Sequence, residues 1–217
     1  MKDLKFIAKQ LRKPTGDFAP TIGEKMNEAN RHLYDLTFSF MDLSDNDKIL
    51  EIGFGNGAHF EQLISLGENL KIYGVDYSGE MVSEAAARNK MLIDSGRLHL
   101  HEGSSDTLPF ADQTFDIVFC NMVIYFWDNP EDHLKEIHRV LKPAGKFYTG
   151  IRTKKSMLDF QFTKYGFRLY TIEEWETTLV KNGFSYQDYC SSKDPSFEEN
   201  GKQIQLESVC IAAEKAS

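Results

Sequence analysis

The residues best suited by type and spacing to do chemistry are two carboxylates and three glycines. Lys48-Ile49-Leu50-Glu51-Ile52-Gly53-Phe54-Gly55-Asn56-Gly57 sets an acid inside an apolar run and then glycine at every second position. Glycine lacks the Cβ that keeps a ligand away from the main chain, so Gly53, Gly55 and Gly57 can bring backbone donors close to a polar group. The spacing Gly53-x-Gly55-x-x-Ala58 also meets the loose dinucleotide fingerprint, which says "nucleotide-like cofactor" without saying which. Asp76 follows about twenty residues later, where a carboxylate at the end of a second strand can accept both hydroxyls of a ribose. Tyr77 beside it can lie against a base. Met81, one helical turn on, fits that ring or the ordinary core equally well.

To bring both acids to one place the chain needs a parallel sheet, and the pattern from residue 48 supplies one. Apolar strand-like runs at 48–52, 71–76, 97–102, 115–120 and 146–151 alternate with helical periodicity at 58–66, 78–93 and 130–141, which predicts a sheet covered on both faces. Ser78 is the expected N-cap of the second helix, and Pro130 starts the third. Thr171 should cap a further helix ending at Asn182-Gly183. Strands at 184–189 and 206–213 then follow without a helix between them, so the last must enter antiparallel. The expected fold is α/β, a doubly wound, Rossmann-like, seven-stranded sheet, mostly parallel with an antiparallel last strand. The polar stretch between those last two strands reads as an exposed, mobile loop.

Residues 1–47 are not strand-like. Leu4, Ile7, Ala8 and Leu11 have helical spacing, Pro14-Thr15-Gly16-Asp17 breaks it, and 22–41 places Met26, Ala29, Leu33, Leu36 and Phe40 along one side of a second helix. The chain divides into an N-terminal helical cap, 1–47, and a core, 48–217; amphipathic spacing serves a lid and a merely packed helix alike.

Composition bounds the partners. A chain of 217 residues, 41% hydrophobic, builds one core with a modest appendage. A net charge of -8 disfavours a nucleic-acid backbone and favours a small-molecule partner. Cys120, Cys190 and Cys210 show no metal or redox spacing and read as buried reduced thiols. Residues 1–12 do not resemble a leader and no apolar run reaches membrane-span length, so the expectation is a soluble, cytoplasmic protein without stable membrane insertion. His99-x-His101 lacks a third ligand nearby and reads as a solvent-facing outer strand, so no metal is expected. His133 and His138 need no special account.

Four ordered features carry a resemblance: Leu50-Glu51-Ile52-Gly53-Phe54-Gly55-Asn56-Gly57; Tyr73-Gly74-Val75-Asp76-Tyr77-Ser78; Gly103 through Leu108-Pro109-Phe110 to Phe115-Asp116-Ile117-Val118; and Leu141-Lys142-Pro143-Ala144-Gly145. Over about residues 48 to 150 the chain resembles the class I S-adenosylmethionine-dependent methyltransferases, in particular the small-molecule group of ubiquinone and menaquinone biosynthesis. The resemblance implies S-adenosylmethionine as cofactor, with Glu51 near its methionine portion, Gly53, Gly55, Asn56 and Gly57 around the amino-acid tail, Asp76 on the ribose, Tyr77 and Met81 at the adenine, and Asn121 at the amino-acid end. Where many relatives read Gly-Asp-Ala, this chain has Gly103-Ser104-Ser105-Asp106. A Ser104 hydroxyl accepts from the adenine amine more weakly than a carboxylate, and Asp106 is its possible substitute.

Methyl transfer from a sulfonium requires no universal catalytic residue, so none is assigned. Tyr34, His59 and Tyr125 flank the expected pocket and are the candidates for accepting a proton. Tyr125, Phe126 and Trp127 after strand four, with Phe160, Phe162, Tyr165, Phe167 and Tyr170 after strand five, lie where ligands of open α/β sheets bind and form the expected acceptor pocket, for a flat or lipid-like molecule; loop anchoring should account for about half of them. A catalytically silent cofactor-binding protein is one alternative. A nicotinamide-dependent oxidoreductase is another, but it leaves Leu108-Pro109-Phe110, Lys142-Pro143-Ala144-Gly145 and the closing strand pair unexplained. Asn121-Met122-Val123-Ile124 stands where DNA-base and protein-glutamine amino methylases carry Asn-Pro-Pro-Tyr or Asp-Pro-Pro-Tyr, which counts against those substrates.

Overall fold

The computed structural model describes residues 3–199 and 201–216. Residues 1, 2, 200 and 217, which belong to the expected cap, the polar connection and the core, lie outside the described residues. The strands are β1 (Lys48–Ile52), β2 (Lys71–Asp76), β3 (Leu98–Glu102), β4 (Phe115–Asn121), β5 (Leu141–Arg152), β6 (Phe184–Lys193), β7 (Phe197–Glu199), β8 (Lys202–Ile204) and β9 (Glu207–Lys215). Among the described residues, one seven-stranded sheet has the order β3-β2-β1-β4-β5-β9-β6, and β7 pairs with β8.

β1 carries Ile49, Leu50, Glu51 and Ile52, all buried, because both its faces are covered. It pairs in parallel with β2, Glu51 opposite Gly74, and with β4, Ile52 opposite Cys120. Strand order reverses across β1, so the carboxyl ends of β1, β2 and β4 open on one crevice, the usual ligand position in such sheets. β9 runs antiparallel to both β5 and β6, as the absence of an intervening helix requires.

The helices are α1 (Leu4–Arg12), α2 (Ala19–Phe40), α3 (Phe60–Ile64), α4 (Gly79–Arg88), α5 (Lys90–Asp94), α6 (Pro130–Val140), α7 (Lys154–Met157) and α8 (Ile172–Lys181). Ser78 caps α4 by accepting from Met81 N, and Thr171 with Glu174 forms a capping box on α8. Several expectations are corrected. The single helix over 78–93 breaks at Asn89, whose side chain turns inward and donates to the carbonyls of Gly57 and Ala85. The helix over 58–66 shortens to Phe60–Ile64. The strand over 146–151 begins at Leu141, directly after α6. The connection expected to be a mobile loop contains the β7/β8 pair, and its Asp194 is buried.

α2 also differs. Its buried face is Gly23, Leu33, Tyr34, Thr37 and Phe38, whereas Ala29 is exposed and Leu36 and Phe40 are half-buried. Hydrophobic periodicity misplaces the stripe because Tyr34 and Thr37 bury their hydroxyls on Glu51 and Asn121 of the sheet. Among the described residues no helix is long and apolar enough to cross a membrane, and no group of three or more His, Cys, Asp or Glu could hold a metal ion. His99 is exposed on the outer strand, stacked on Tyr73, and His101 lies edge-on to Phe110.

Candidate functional site

A cavity of about 1800 Å³ opens over the carboxyl ends of β1, β2 and β4, roofed by α1, α2 and the stretch between them. Gly53 enters it from β1 with φ +73°, a left-handed conformation that side chains resist, and an added Cβ would stand 2.4 Å from Val123 Cγ2. Gly55, φ +58°, has open space where its Cβ would be, and its N–H donates to Asp76 Oδ2 at 2.8 Å. Asp76 Oδ1 accepts from Ser78 N at 2.9 Å. The acid is thus fixed by the turns on either side of it while still facing the cavity. Burial pushes its carboxyl up to about 6, against the pull of the Ser78 and Gly55 N–H groups.

Glu51, 2% exposed, accepts the Tyr34 hydroxyl at 2.7 Å. Desolvation pushes this carboxyl up to about 8, the Tyr34 hydrogen bond opposes the shift, and the neighbouring Asp76 adds to it. The Tyr34 phenol is itself raised well above its ordinary value by burial and by Glu51. Asn121, at the end of β4, accepts from Thr37 Oγ1 at 3.0 Å while its Nδ2 is buried without a partner. Asn56 donates to Glu24 and leaves its Oδ1 buried and unpaired. Both asparagines line the cavity together with Asp76, so one wall presents an orphan donor and an orphan acceptor, whereas Glu51, expected at the cofactor, is outside the lining and reaches it only through Tyr34.

Beyond Asp76, Tyr77 is 54% exposed at the mouth with Lys13 Nζ 3.9 Å from its ring centroid, and Met81 is fully buried in the wall. Ser104, Ser105 and Asp106 line the same end, Asp106 exposed. Ser105 Oγ pairs with His133 Nδ1 at 2.8 Å, and the imidazole stacks on Trp127 with centroids 4.6 Å apart. His133 is therefore a member of the site that sequence reasoning missed. Its one signal was a position in the first turn of the helix after β4. Gly57 does not line the cavity; its Cβ would meet Ala85, Asn89 and Phe60, each at 2.9 Å, so there glycine serves packing.

The expected acceptor aromatics divide. Phe126, Trp127, Phe160, Phe162 and Phe167 line the cavity. Tyr125 does not: it is buried in the core, its hydroxyl donating to Arg152 O at 2.9 Å and accepting from Arg152 N at 2.7 Å, with its acidity suppressed by burial. Tyr165 is 44% exposed outside the lining, and Tyr170 is buried edge-on to Trp175. His59 lies behind Tyr34, rings stacked at 3.7 Å, and burial lowers it to about 4. The three proton-accepting candidates are thus a hydroxyl engaged on Glu51, a shielded imidazole and a core tie.

Arg152 and Asp194, also unforeseen, form an ion pair at 2.8 Å with side chains 4% and 6% exposed at the inner end of this lobe. Arg152 reaches Asn30 Oδ1 and the carbonyl of Ala29 as well, and Asp194 accepts from Ser208 Oγ.

Chemically, the crevice offers the Asp76 carboxylate for vicinal hydroxyls, and the backbone of Gly53 and Gly55 with the amides of Asn56 and Asn121 for an amino-acid group. An apolar lobe lies beside them. The profile of a methyltransferase domain matches residues 50–149. The putative methyltransferase YrhH of Bacillus subtilis is 32% identical over 113 residues, 52% of this chain and 62% of that one. The demethylmenaquinone methyltransferase of Chlorobaculum parvum is 35% identical over 101 residues, 46% of this chain and 39% of that one. The chain thus spans less than two thirds of the length of either relative. A chain in the complex of the Haloferax volcanii Trm112 methyltransferase activator with the putative methyltransferase superposes with TM-score 0.78 at 21% identity, over 92% of this chain and 95% of that one, a likeness of fold.

Proposed function

Since this chain belongs to the class I S-adenosylmethionine-dependent methyltransferases, we propose that it binds S-adenosylmethionine in the crevice and catalyses transfer of its methyl group to a small-molecule acceptor. The observation that carries this reading is the placement of Asp76, held by Gly55 and Ser78 at the carboxyl end of β2 and facing the cavity that the unpaired amide of Asn121 also lines. In this assignment Asp76 holds the ribose, Tyr77, Met81 and Ser104 to Asp106 surround the adenine, and Glu51, Gly53, Gly55, Asn56 and Asn121 meet the methionine end. S-adenosylmethionine supplies a methyl group on a sulfonium, already activated for in-line displacement. The protein then has to place the acceptor and exclude water.

A cavity of about 1800 Å³ exceeds the usual single-ligand pocket, ~300–1,000 Å³, leaving room for an acceptor beside the cofactor. The lobe of Phe126, Phe160, Phe162, Phe167 and Leu206 favours an acceptor with an apolar body. Residues 1–47 act in this reading as the cover that keeps water out.

Isothermal calorimetry with S-adenosylmethionine, S-adenosylhomocysteine and NAD tests the assignment. Binding of the first two is expected, and Asp76→Ala should weaken it by about 1–3 kcal/mol, five- to 150-fold, through loss of charge-assisted hydrogen bonds. A response to NAD alone would overturn the proposal, and an unchanged Asp76→Ala affinity would remove the ribose assignment. S-adenosylhomocysteine release across an acceptor panel separates an enzyme from a silent binder.

A further inference from the structure

The mouth of the cavity differs in character from the rest of the surface. The chain carries a net charge of -8, yet residues 3–18 and 153–168 together hold eight Lys or Arg against three Asp. The two stretches adjoin, because α1 packs against the turn Gln161–Lys164. Lys5 and Lys9 on α1, and Lys155, Lys164 and Arg168 in the second stretch, are exposed. Large apolar side chains are exposed among these cations: Leu4 at 36%, Phe6 at 41%, Phe18 at 57%, Leu158 at 63% and Tyr165 at 44%. Phe6 and Phe18 meet edge to face at 5.3 Å at the rim of the cavity, so this apolar surface continues into the acceptor lobe.

We infer that α1 and the 153–168 connection form a docking face for an anionic lipid surface, on which the protein rests peripherally while an apolar acceptor passes from the lipid into the cavity. Exposed aromatic and aliphatic groups among cations are the composition of an interfacial segment, in which the apolar side chains enter the headgroup boundary and the cations meet lipid phosphates. A purely aqueous acceptor gives no reason to expose Phe6, Phe18 and Leu158 together, or to set the exposed Lys5, Lys9, Lys155, Lys164 and Arg168 on two adjoining stretches of an acidic protein. Charge complementarity selects anionic lipid over a second copy of this chain, whose same face would present like charge. The choice of acceptor source rests on the methyltransferase reading; the docking face itself does not.

The test is co-sedimentation of the full chain with vesicles of phosphatidylcholine alone and of phosphatidylcholine containing phosphatidylglycerol, read alongside S-adenosylmethionine calorimetry. Binding is expected to the anionic vesicles, little to the zwitterionic ones, with a steep fall on adding salt. Lys5→Gln with Lys9→Gln should weaken vesicle binding about 25-fold, at fivefold per charge. Leu158→Ser should weaken it as well, and all three substitutions lie outside the cavity lining and should leave cofactor affinity unchanged. Equal binding to both vesicle types, no binding to either, or variants that bind like the parent would overturn the inference. So would a self-associated species, in analytical ultracentrifugation, that the same substitutions dissolve. Loss of cofactor binding with vesicle binding intact would count against the methyltransferase reading alone.

Discussion

Glu51 shows how far a single residue's environment can depart from its sequence pattern. The position next to the glycine turn is legible; its protonation and its place behind Tyr34 are not, because they depend on a helix outside the motif and on burial. Burial raises the folded carboxyl from an ordinary value of 4.5 to about 8. Between these values the folded chain keeps a proton that the unfolded chain gives up, so stability present below the unfolded value is lost as pH rises through the folded one. Asp76, raised to about 6, and His59, lowered to about 4, finish most of their change below pH 6.5. The cofactor-free protein should therefore lose about 1–2 kcal/mol between pH 6.5 and 8, measured by chemical denaturation. Glu51→Gln, which mimics the protonated acid, should flatten the profile over that window. Parallel profiles would show that Glu51 is already ionised at pH 6.5. The glycines divide by the same logic: Gly53 and Gly55 border the cavity, while Gly57 is spared a Cβ for Ala85 and Asn89, and the alternate spacing gives no sign of the difference.

Among the elements, the sheet was nearly all readable because each strand's pattern is local: two covered faces give apolar runs, and two successive strands require a reversal. The contacts that close the apolar lobe were not. Arg152 ends β5, Asp194 follows β6, and Asn30 lies in α2, so the group forms only when three distant segments meet. The same holds for Ser105 and His133, brought together from β3's exit and the start of α6. Arg152 has a definite mechanical role, since it fastens α2 to the sheet and to the segment before β7 at once. Arg152→Met leaves Asp194 as an unpaired buried charge and should cost about 3–5 kcal/mol in urea denaturation. The double change Arg152→Met with Asp194→Leu should recover part of that loss, because neither charge is then stranded. If it costs as much as the two single changes added, the Asn30 and Ala29 contacts carry the fastening and the ion pair is incidental.

At the scale of the whole molecule, the N-terminal stretch is tied to the rim of the crevice more than to the core. Arg12 pairs with Asp128 at 2.6 Å, Lys13 lies over Tyr77, Ser78 Oγ donates to the carbonyl of Pro14 at 2.6 Å, and Gly16 N–H donates to Glu80 at 3.2 Å. The contacts at Tyr77, Ser78 and Glu80 cluster where β2 passes into α4, beside Asp76, so the stretch can lift only by uncovering the Asp76 end of the cavity. Polar ties at an exposed rim place it at the low end of local stability, whereas α2, packed on β9 and β5, opens only with the fold. If the proposed cofactor lies beneath the stretch, it is released whenever the stretch lifts, and binding then stabilises the closed form by the free energy of that release. At a cofactor concentration a hundred times Kd, this amounts to about 2.7 kcal/mol. Hydrogen exchange should therefore slow up to about a hundredfold at the Gly16 amide and its neighbours when S-adenosylmethionine is added. Amides at the C-terminal end of α8, outside the cavity lining, should keep their rates. If the two regions respond alike, or Gly16 does not respond, residues 4–18 do not cover the cofactor, and α2 alone would be the roof of the site.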